Sequence, residues 1–171
     1  MTDIIKVGDI LPDLDMKVII KDDIKDIKLS KLFSDHSLMY PKEKKIVLFA
    51  VPGAFTPTCS AKHLPGFLTF ASAFKEKKID NIVCLSVNDP FVMKAWCDAN
   101  KAGSDIIFLA DGNAQLSKSL GLTFDGSMYS LGERSQRYAM VLKGLKVEKL
   151  FIEKPGVFEV SSAQYVLKSL V

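Results

Sequence analysis

The residues best suited to chemistry in this chain fall within ten positions, VPGAFTPTCS, from Val51 to Ser60. An apolar run, KIVLFAV (Lys45 to Val51), leads into them and reads as a buried strand. Leu64, Phe67, Leu68, Ala71 and Phe74 follow at spacings of 3, 1, 3 and 3, which marks one face of a helix. A loop with two prolines and a glycine therefore joins a strand to a helix, and Cys59 stands where that helix begins. Free backbone N–H groups and the positive end of the helix dipole stabilise thiolate over thiol at such a place. Cys59 is accordingly read as a reactive nucleophile.

The order Pro52-x-x-x-Thr56-x-x-Cys59 supplies the rest of a site. The Thr56 hydroxyl, one short turn before Cys59, can reach the sulfur and can accept a hydrogen bond from a substrate. A plain helix cap is the alternative for this threonine. Pro52 offers a rigid apolar wall without a donor, limiting water near the thiolate, and Pro57 fixes the turn between them. A thiolate, a hydroxyl, the backbone N–H groups of Thr58 and Cys59 and a nearby cation form a set that polarises an O–O bond. Thiolate attack on one oxygen expels the other as hydroxide or alkoxide, and N–H donors and an arginine stabilise that developing charge.

Several neighbours invite a sharper or a plainer reading. His63 is four residues from Cys59, about one helical turn, so a Cys–His dyad is conceivable. With no Asn or Asp in view to orient the ring, a structural or hydrogen-bonding role is preferred. Cys84 sits mid-strand in an apolar run and reads as inert. Cys97 lies off the expected apolar face of its helix and reads as a half-exposed bystander. Trp96 reads as a core or interface residue. On sequence alone Arg137 is a strand-edge charge.

The elements that position these residues follow in order. Leu14, Met16, Val18 and Ile20, a charged turn at Lys21 to Asp23, then Ile24, Ile27 and Leu29 read as a β-hairpin. Ser30 is a candidate cap for a short turn, Lys31 to Phe33, and Tyr40 to Lys44 reads as a charged loop. Pro65 should kink the helix after Cys59. NIVCLSV (Asn81 to Val87) is a second buried strand. Asp89 and Pro90 open a helix with an apolar face of Phe91, Val92, Ala95, Trp96 and Ala99, ended by Gly103. IIFLA (Ile106 to Ala110) is a third strand, and Ala114 to Leu120 a helix. Leu122 to Gln136 reads as a long irregular loop, long enough to suggest a role. Arg137 to Lys143 and Val147 to Ile152 form a late hairpin, and Ser161 or Ser162 opens a last helix. This alternation predicts one α/β domain over residues 1–171, with a central mixed sheet, helices on both faces and an N-terminal β-hairpin. Sites in such sheets lie at the carboxyl ends of strands, where Cys59 falls.

Composition narrows the classes. The 171 residues are 48% hydrophobic and 25% charged with a net charge of +3, ordinary for a globular domain. Lysines are interspersed with Asp and Glu, which argues against nucleic-acid and membrane partners. No run approaches a membrane span. Three cysteines do not make a secreted disulfide framework, so a reducing intracellular compartment is expected. That means the cytoplasm or, if a presequence has been removed, a mitochondrion or plastid.

PGAFTPTCS, then HLPGF (His63 to Phe67), then CLSVND (Cys84 to Asp89), resembles the type II, Prx5-like branch of the peroxiredoxins from about Val7 onward. The resemblance implies a thioredoxin-like fold and thiol-dependent reduction of hydrogen peroxide, alkyl hydroperoxides and often peroxynitrite. It places Pro52, Thr56 and Cys59 on the family motif, with Cys59 as the peroxidatic cysteine. It also implies a catalytic arginine within ERSQRYAMV. Arg137 is the choice, with Arg134 as the alternative or a loop-positioning helper. Atypical two-cysteine relatives carry a resolving cysteine near the C-terminus, where this chain has Phe158 to Ser162 and no Cys after Cys97. The resemblance is therefore to one-cysteine, plant-type members, recycled by glutathione with glutaredoxin or by thioredoxin. No resolving cysteine, metal or organic cofactor is implied, and a homodimer packing near the active-site loops is expected.

Rival functions separate on simple features. A disulfide oxidoreductase needs Cys-x-x-Cys, and Thr56 occupies the first position. A cysteine hydrolase wants a histidine base with an orienter, and only His36 and His63 are present. A peroxide sensor or redox relay would use the same cysteine and differ only by failing to turn over.

Overall fold

The computed structural model describes residues 3–37 and 39–170. Its elements run β1 (Asp15–Ile20), β2 (Asp23–Lys28), α1 (Leu29–Leu32), β3 (Ser34–Asp35), β4 (Lys42–Glu43), β5 (Lys45–Val51), a π-helical turn (Cys59–His63), α2 (Leu64–Thr69), α3 (Ala71–Glu76), β6 (Asn81–Ser86), α4 (Pro90–Ala99), β7 (Ile106–Ala110), α5 (Gln115–Ser119), β8 (Thr123–Asp125), a 3-10 turn (Ser127–Tyr129), β9 (Glu133–Ser135), β10 (Tyr138–Lys143), β11 (Lys146–Ile152) and α6 (Ala163–Ser169). Seven strands form one sheet in the order β11-β10-β5-β6-β7-β1-β2. The β5–β6 and β6–β7 pairs are parallel, and β10 and β1 flank them antiparallel.

Period-2 alternation divides β5 between two cores. Val47, Phe49 and Val51 face one side with Leu64, Phe67 and Phe74 of the helices after the loop, Trp96 of α4 and Val166 of α6. Ile46, Leu48 and Ala50 face the other side with Leu29 and Leu32 of α1 and Leu116 of α5. Helices therefore cover both faces, as the βαβ pattern demands. The N-terminal hairpin forms as expected, with Lys21 and Asp22 both at positive φ (48° and 69°) in a tight turn. Asp89 caps α4 by accepting from the Val92 N–H at 2.9 Å, and Ser162 caps α6 from Tyr165 at 3.2 Å.

Four local expectations are corrected. Ser30 caps nothing: α1 starts at Leu29, and the Ser30 hydroxyl donates to Asp13 at 2.8 Å. The loop expected at Tyr40 to Lys44 contributes β4, paired with β3. The stretch Leu122 to Gln136 is a small hairpin, β8 with β9, closed by the 3-10 turn. Its strands are three residues each, too short to show a period. Helix α4 buries Met93, Trp96 and Cys97, while Phe91 is 75% exposed and Ala95 and Ala99 face outward. Two stripes one residue apart shared Trp96. The packing partners decide between them: Met93, Trp96 and Cys97 join Ile19 of β1 and Phe108 of β7 in the core, and Val92 is partly covered beside them. Cys97 is thus fully buried, not half exposed.

Candidate active site

The strand-to-helix corner is built as its sequence requires. Chain direction reverses through Pro52 to Thr56, with Phe55 at φ 63°. Helical backbone starts at Pro57, and the first helical bond runs from the Ser60 N–H to the Thr56 carbonyl at 3.0 Å. Cys59 is therefore the third helical residue, and its N–H and that of Thr58 precede the first intrahelical bond. The kink expected at Pro65 takes a specific form. Residues 59–63 make a π turn in which the Leu64 N–H donates to the Cys59 carbonyl, just before the donor-less Pro65. A second break follows at Phe70, between α2 and α3.

The thiol is enclosed. Cys59 is buried, sharing its cluster with Phe49, Leu64, Cys84 and Ala139. Arg137, just before β10, donates from Nη2 to Cys59 Sγ at 3.1 Å. Its other nitrogen, Nη1, lies 2.7 Å from His63 Nδ1. The His63 Nε2 lies 2.9 Å from the Ser161 carbonyl, which can only accept. Nε2 therefore carries the proton, and bare Nδ1 accepts from the guanidinium. His63 is buried, which with the adjacent Arg137 charge pushes its pKa down to about 3. Both ring nitrogens of His63 are engaged, one by the Ser161 carbonyl and one by Arg137, and neither is paired with the Cys59 sulfur. Phe158 packs on His63 at 4.9 Å between centroids and under the Arg137 guanidinium at 5.8 Å.

Thr56 does not bond the sulfur and does not cap the helix with its side chain. Its hydroxyl donates to the Gly53 carbonyl at 2.7 Å, which leaves the oxygen's lone pairs free to accept. Pro52 follows directly on β5, half-buried, and its carbonyl accepts from Arg134 Nη1 at 3.3 Å. Arg134 also donates from Nε to Leu131 at 2.9 Å, so it ties the β8–β9 hairpin to the loop and does not touch the thiol. The Ala54 N–H donates to Asn88 Oδ1 at 3.0 Å, and Ser86 Oγ donates to the same oxygen at 2.6 Å.

The other cysteines stand apart chemically. Burial and the neighbouring Cys59 push the Cys84 thiol well above its usual range. Burial, then Asp22 and Asp98, push Cys97 up to about 11. Among the described residues, Asp22, Cys97 and Asp98 bring three potential metal-ligand atoms within 4.8 Å. Asp98 is already paired with Lys94 at 2.8 Å. No described helix is long and apolar enough to cross a membrane.

The structure brings the residues singled out from sequence, Cys59, Thr56, Pro52, His63 and both arginines, to this corner, and adds Asn88, Phe158 and the Ser161 carbonyl, which sequence reasoning did not assign to it. Asn88 lay inside a quoted motif and could have been noticed. Ser161 acts through its backbone carbonyl, which no residue type announces.

Comparison with known proteins follows this geometry. A family model described as Redoxin matches residues 6–167. Peroxiredoxin-2B of Arabidopsis thaliana is 45% identical over 97% of this chain and 98% of its own length. The structure of reduced Prx3 in complex with H2O2 from Vibrio vulnificus superposes with a TM-score of 0.88 at 43% identity, over 98% of this chain and 100% of that one. The antioxidant protein of Plasmodium falciparum, titled a 1-Cys peroxiredoxin, gives 0.86 at 29% identity, over 97% and 98%. A seven-stranded mixed sheet of thioredoxin-like type, a PGAFTPTCS corner and this degree of likeness agree. The chain belongs to the redoxin family, as a type II, Prx5-like peroxiredoxin of plant type, and hence among the thiol-dependent peroxidases.

Proposed function

We propose that Cys59 reduces hydrogen peroxide and alkyl hydroperoxides, and peroxynitrite by the same attack, and is then recycled by an external thiol. The observation that carries this reading is the 3.1 Å contact from Arg137 to the Cys59 sulfur, with His63 fixing the guanidinium's other nitrogen. The thiolate attacks one peroxide oxygen, forming an S–O bond as the O–O bond breaks. Cysteine is oxidised to sulfenic acid, and the second oxygen leaves as hydroxide or alkoxide, which takes a proton from water, or within nitrite when the substrate is peroxynitrite. Arg137 and the N–H groups of Thr58 and Cys59 stabilise the charge on both oxygens, and the free lone pairs of Thr56 accept the peroxide O–H. Pro52 keeps water from the sulfur, and Arg134 holds the loop.

Resolution requires two reducing equivalents. A first thiol condenses with the sulfenic acid, releasing water and forming a mixed disulfide, and a second thiol displaces Cys59. Glutathione with glutaredoxin, or thioredoxin, is the proposed donor. The buried, protonated state of Cys84 and Cys97 supports an external resolving thiol. Peroxide consumption is to be measured for the wild type and for the Cys84→Ala, Cys97→Ala double variant, with each donor system. Turnover with at least one donor, retained by the double variant and abolished by Cys59→Ser, is expected. A single oxidation without turnover would make the protein a sensor, and loss in the double variant would demand an internal disulfide.

A further inference from the structure

We propose that Glu153 is a positioning residue for the thiol site, holding the His63–Arg137 pair in register through the segment 154–161. The proposal rests on the reading of Cys59 as the reacting thiol.

Glu153 follows β11 and is 7% exposed. Its own N–H donates to the Arg137 carbonyl at 3.0 Å, so the two residues are joined across adjacent strands. Its carboxylate gathers the incoming segment. Oε2 accepts from the N–H of Glu159 at 2.6 Å, the N–H of Ser161 at 3.0 Å and the Ser161 hydroxyl at 2.7 Å. Oε1 accepts from the Val160 N–H at 3.2 Å. A buried carboxylate that meets four donors is satisfied, and successive N–H groups turned toward one anion form a concave nest.

That nest has two consequences at the sulfur. It presents the Ser161 carbonyl to His63 Nε2, which fixes the tautomer that leaves Nδ1 bare for Arg137. It also lays Phe158 against the His63 ring and under the Arg137 guanidinium. The connections close on themselves: Arg137 backbone to Glu153, Glu153 to Ser161, Ser161 to His63, His63 to the Arg137 side chain, and from there to Cys59 Sγ. Residues 154–157 and 159 are exposed, so little apolar packing holds this segment besides Phe158. With the carboxylate removed, the Ser161 carbonyl is released and His63 can place its proton on Nδ1. That would face a donor toward a donor at Arg137, and the guanidinium would lose its fixed orientation on the sulfur.

Glu153→Gln is the first test. The amide is close in shape, but its NH2 group cannot accept from the segment's N–H donors. The chain has two histidines, so 15N spectra of the imidazoles are readily assigned. His63 should show the Nε2–H tautomer in the wild type and a mixture in Glu153→Gln. The second readout is iodoacetamide alkylation of Cys59 against pH, in the Cys84→Ala, Cys97→Ala background and without peroxide. The ionisable groups facing that sulfur are Arg137 from the start of β10, His63 on its own turn and, in the native chain, Cys84 from β6. Alkylation at pH 7 should slow about tenfold as the sulfur loses its fixed charged donor. Glu153→Asp, which keeps the charge, should recover part of the rate.

A folded Glu153→Gln variant with wild-type tautomer and wild-type alkylation profile overturns the proposal. If that variant does not fold, Ser161→Ala removes one of the four donors and keeps the carbonyl. A two- to threefold slowing of alkylation supports the ring of contacts there, and no change overturns it. Neither readout uses peroxide, so a failure of the peroxidase reading would appear separately, as absent turnover in the wild type.

Discussion

Arg137 and Arg134 are three residues apart, carry the same charge and do different work. Arg137 meets the sulfur, and its position is fixed by His63. Among the described residues, Arg134 donates to the carbonyls of Pro52 and Leu131 and not to the sulfur. Removing the first leaves a developing oxyanion and a buried sulfur without a charged donor. Arg137→Gln should therefore lower kcat/KM by about 10² to 10³, the range seen when one oxyanion-hole donor is lost. Arg134→Gln loosens a loop that still contains the Thr56–Gly53 and Ala54–Asn88 bonds, so it should cost about tenfold or less. Peroxide-dependent oxidation under single-turnover conditions separates the two, and the reverse order would move the catalytic role to Arg134.

At the scale of the element, the corner between β5 and the helix works because it is crowded on one side and widened on the other. A Cβ on Gly53 would fall 2.7 Å from Arg134 Nη1 and 3.0 Å from Thr56 Cγ2. Glycine there allows the arginine to reach the Pro52 carbonyl and the threonine hydroxyl to reach the Gly53 carbonyl at the same time. Gly53→Ala should displace both. The arginine tip can move at small cost, while Thr56 is held within the loop. About a tenfold fall in kcat/KM is expected with a stability loss of about 1 kcal/mol or less, because a surface-reaching guanidinium absorbs part of the clash. Unfolding in urea and steady-state kinetics measure the two parts. An unchanged rate would show that Thr56 and Arg134 need no such clearance. On the wide side, the π turn absorbs Pro65, and it sets His63 beneath Phe49, with ring centroids 4.9 Å apart.

At the scale of the molecule, the site is built into the core on one face of the sheet, with Phe49, Leu64 and Phe67, and its histidine titrates as part of the fold. His63 has a native pKa of about 3 against an ordinary 6.5, mainly because it is buried and secondarily because Arg137 is adjacent. The native value is the lower one, so the unfolded chain binds the extra proton between those limits. Stability is therefore full above about pH 6.5 and falls as pH drops through the window toward 3. The slope from this one group is about 1.4 kcal/mol per pH unit. Asp13, Asp35 and Asp125 are also held below the usual carboxylate range by serine hydrogen bonds, but they act at lower pH. Urea unfolding at pH 7, 6 and 5 isolates the histidine. His63→Gln keeps a donor and an acceptor without titrating, so its stability should be nearly flat over that interval. A wild-type slope that survives the substitution would assign the effect to another group.

Periodicity alone located β5 and β7 to the residue, because each is a continuous apolar run bounded by polar residues and buried on both faces. It also located Cys59 at a helix start, since proline and glycine chemistry is local. The PxxxTxxC spacing placed Thr56 and Pro52 for the same reason. Residue types alone did not rank Arg137 over Arg134, and only the family resemblance put Arg137 first: Arg134 lies inside β9, paired with β8, while Arg137 precedes β10, paired with β5, and those pairings decide which one reaches the sulfur. It misplaced Cys97, because two helical stripes one residue apart are resolved only by what they pack against. It gave no sign of Glu153 or Ser161, whose roles depend on 154–161 returning to β11 and on a backbone carbonyl. Contacts set by local backbone geometry were legible in the chain. Contacts between residues up to 98 positions apart, as from His63 to Ser161, exist only once the sheet has brought their elements together.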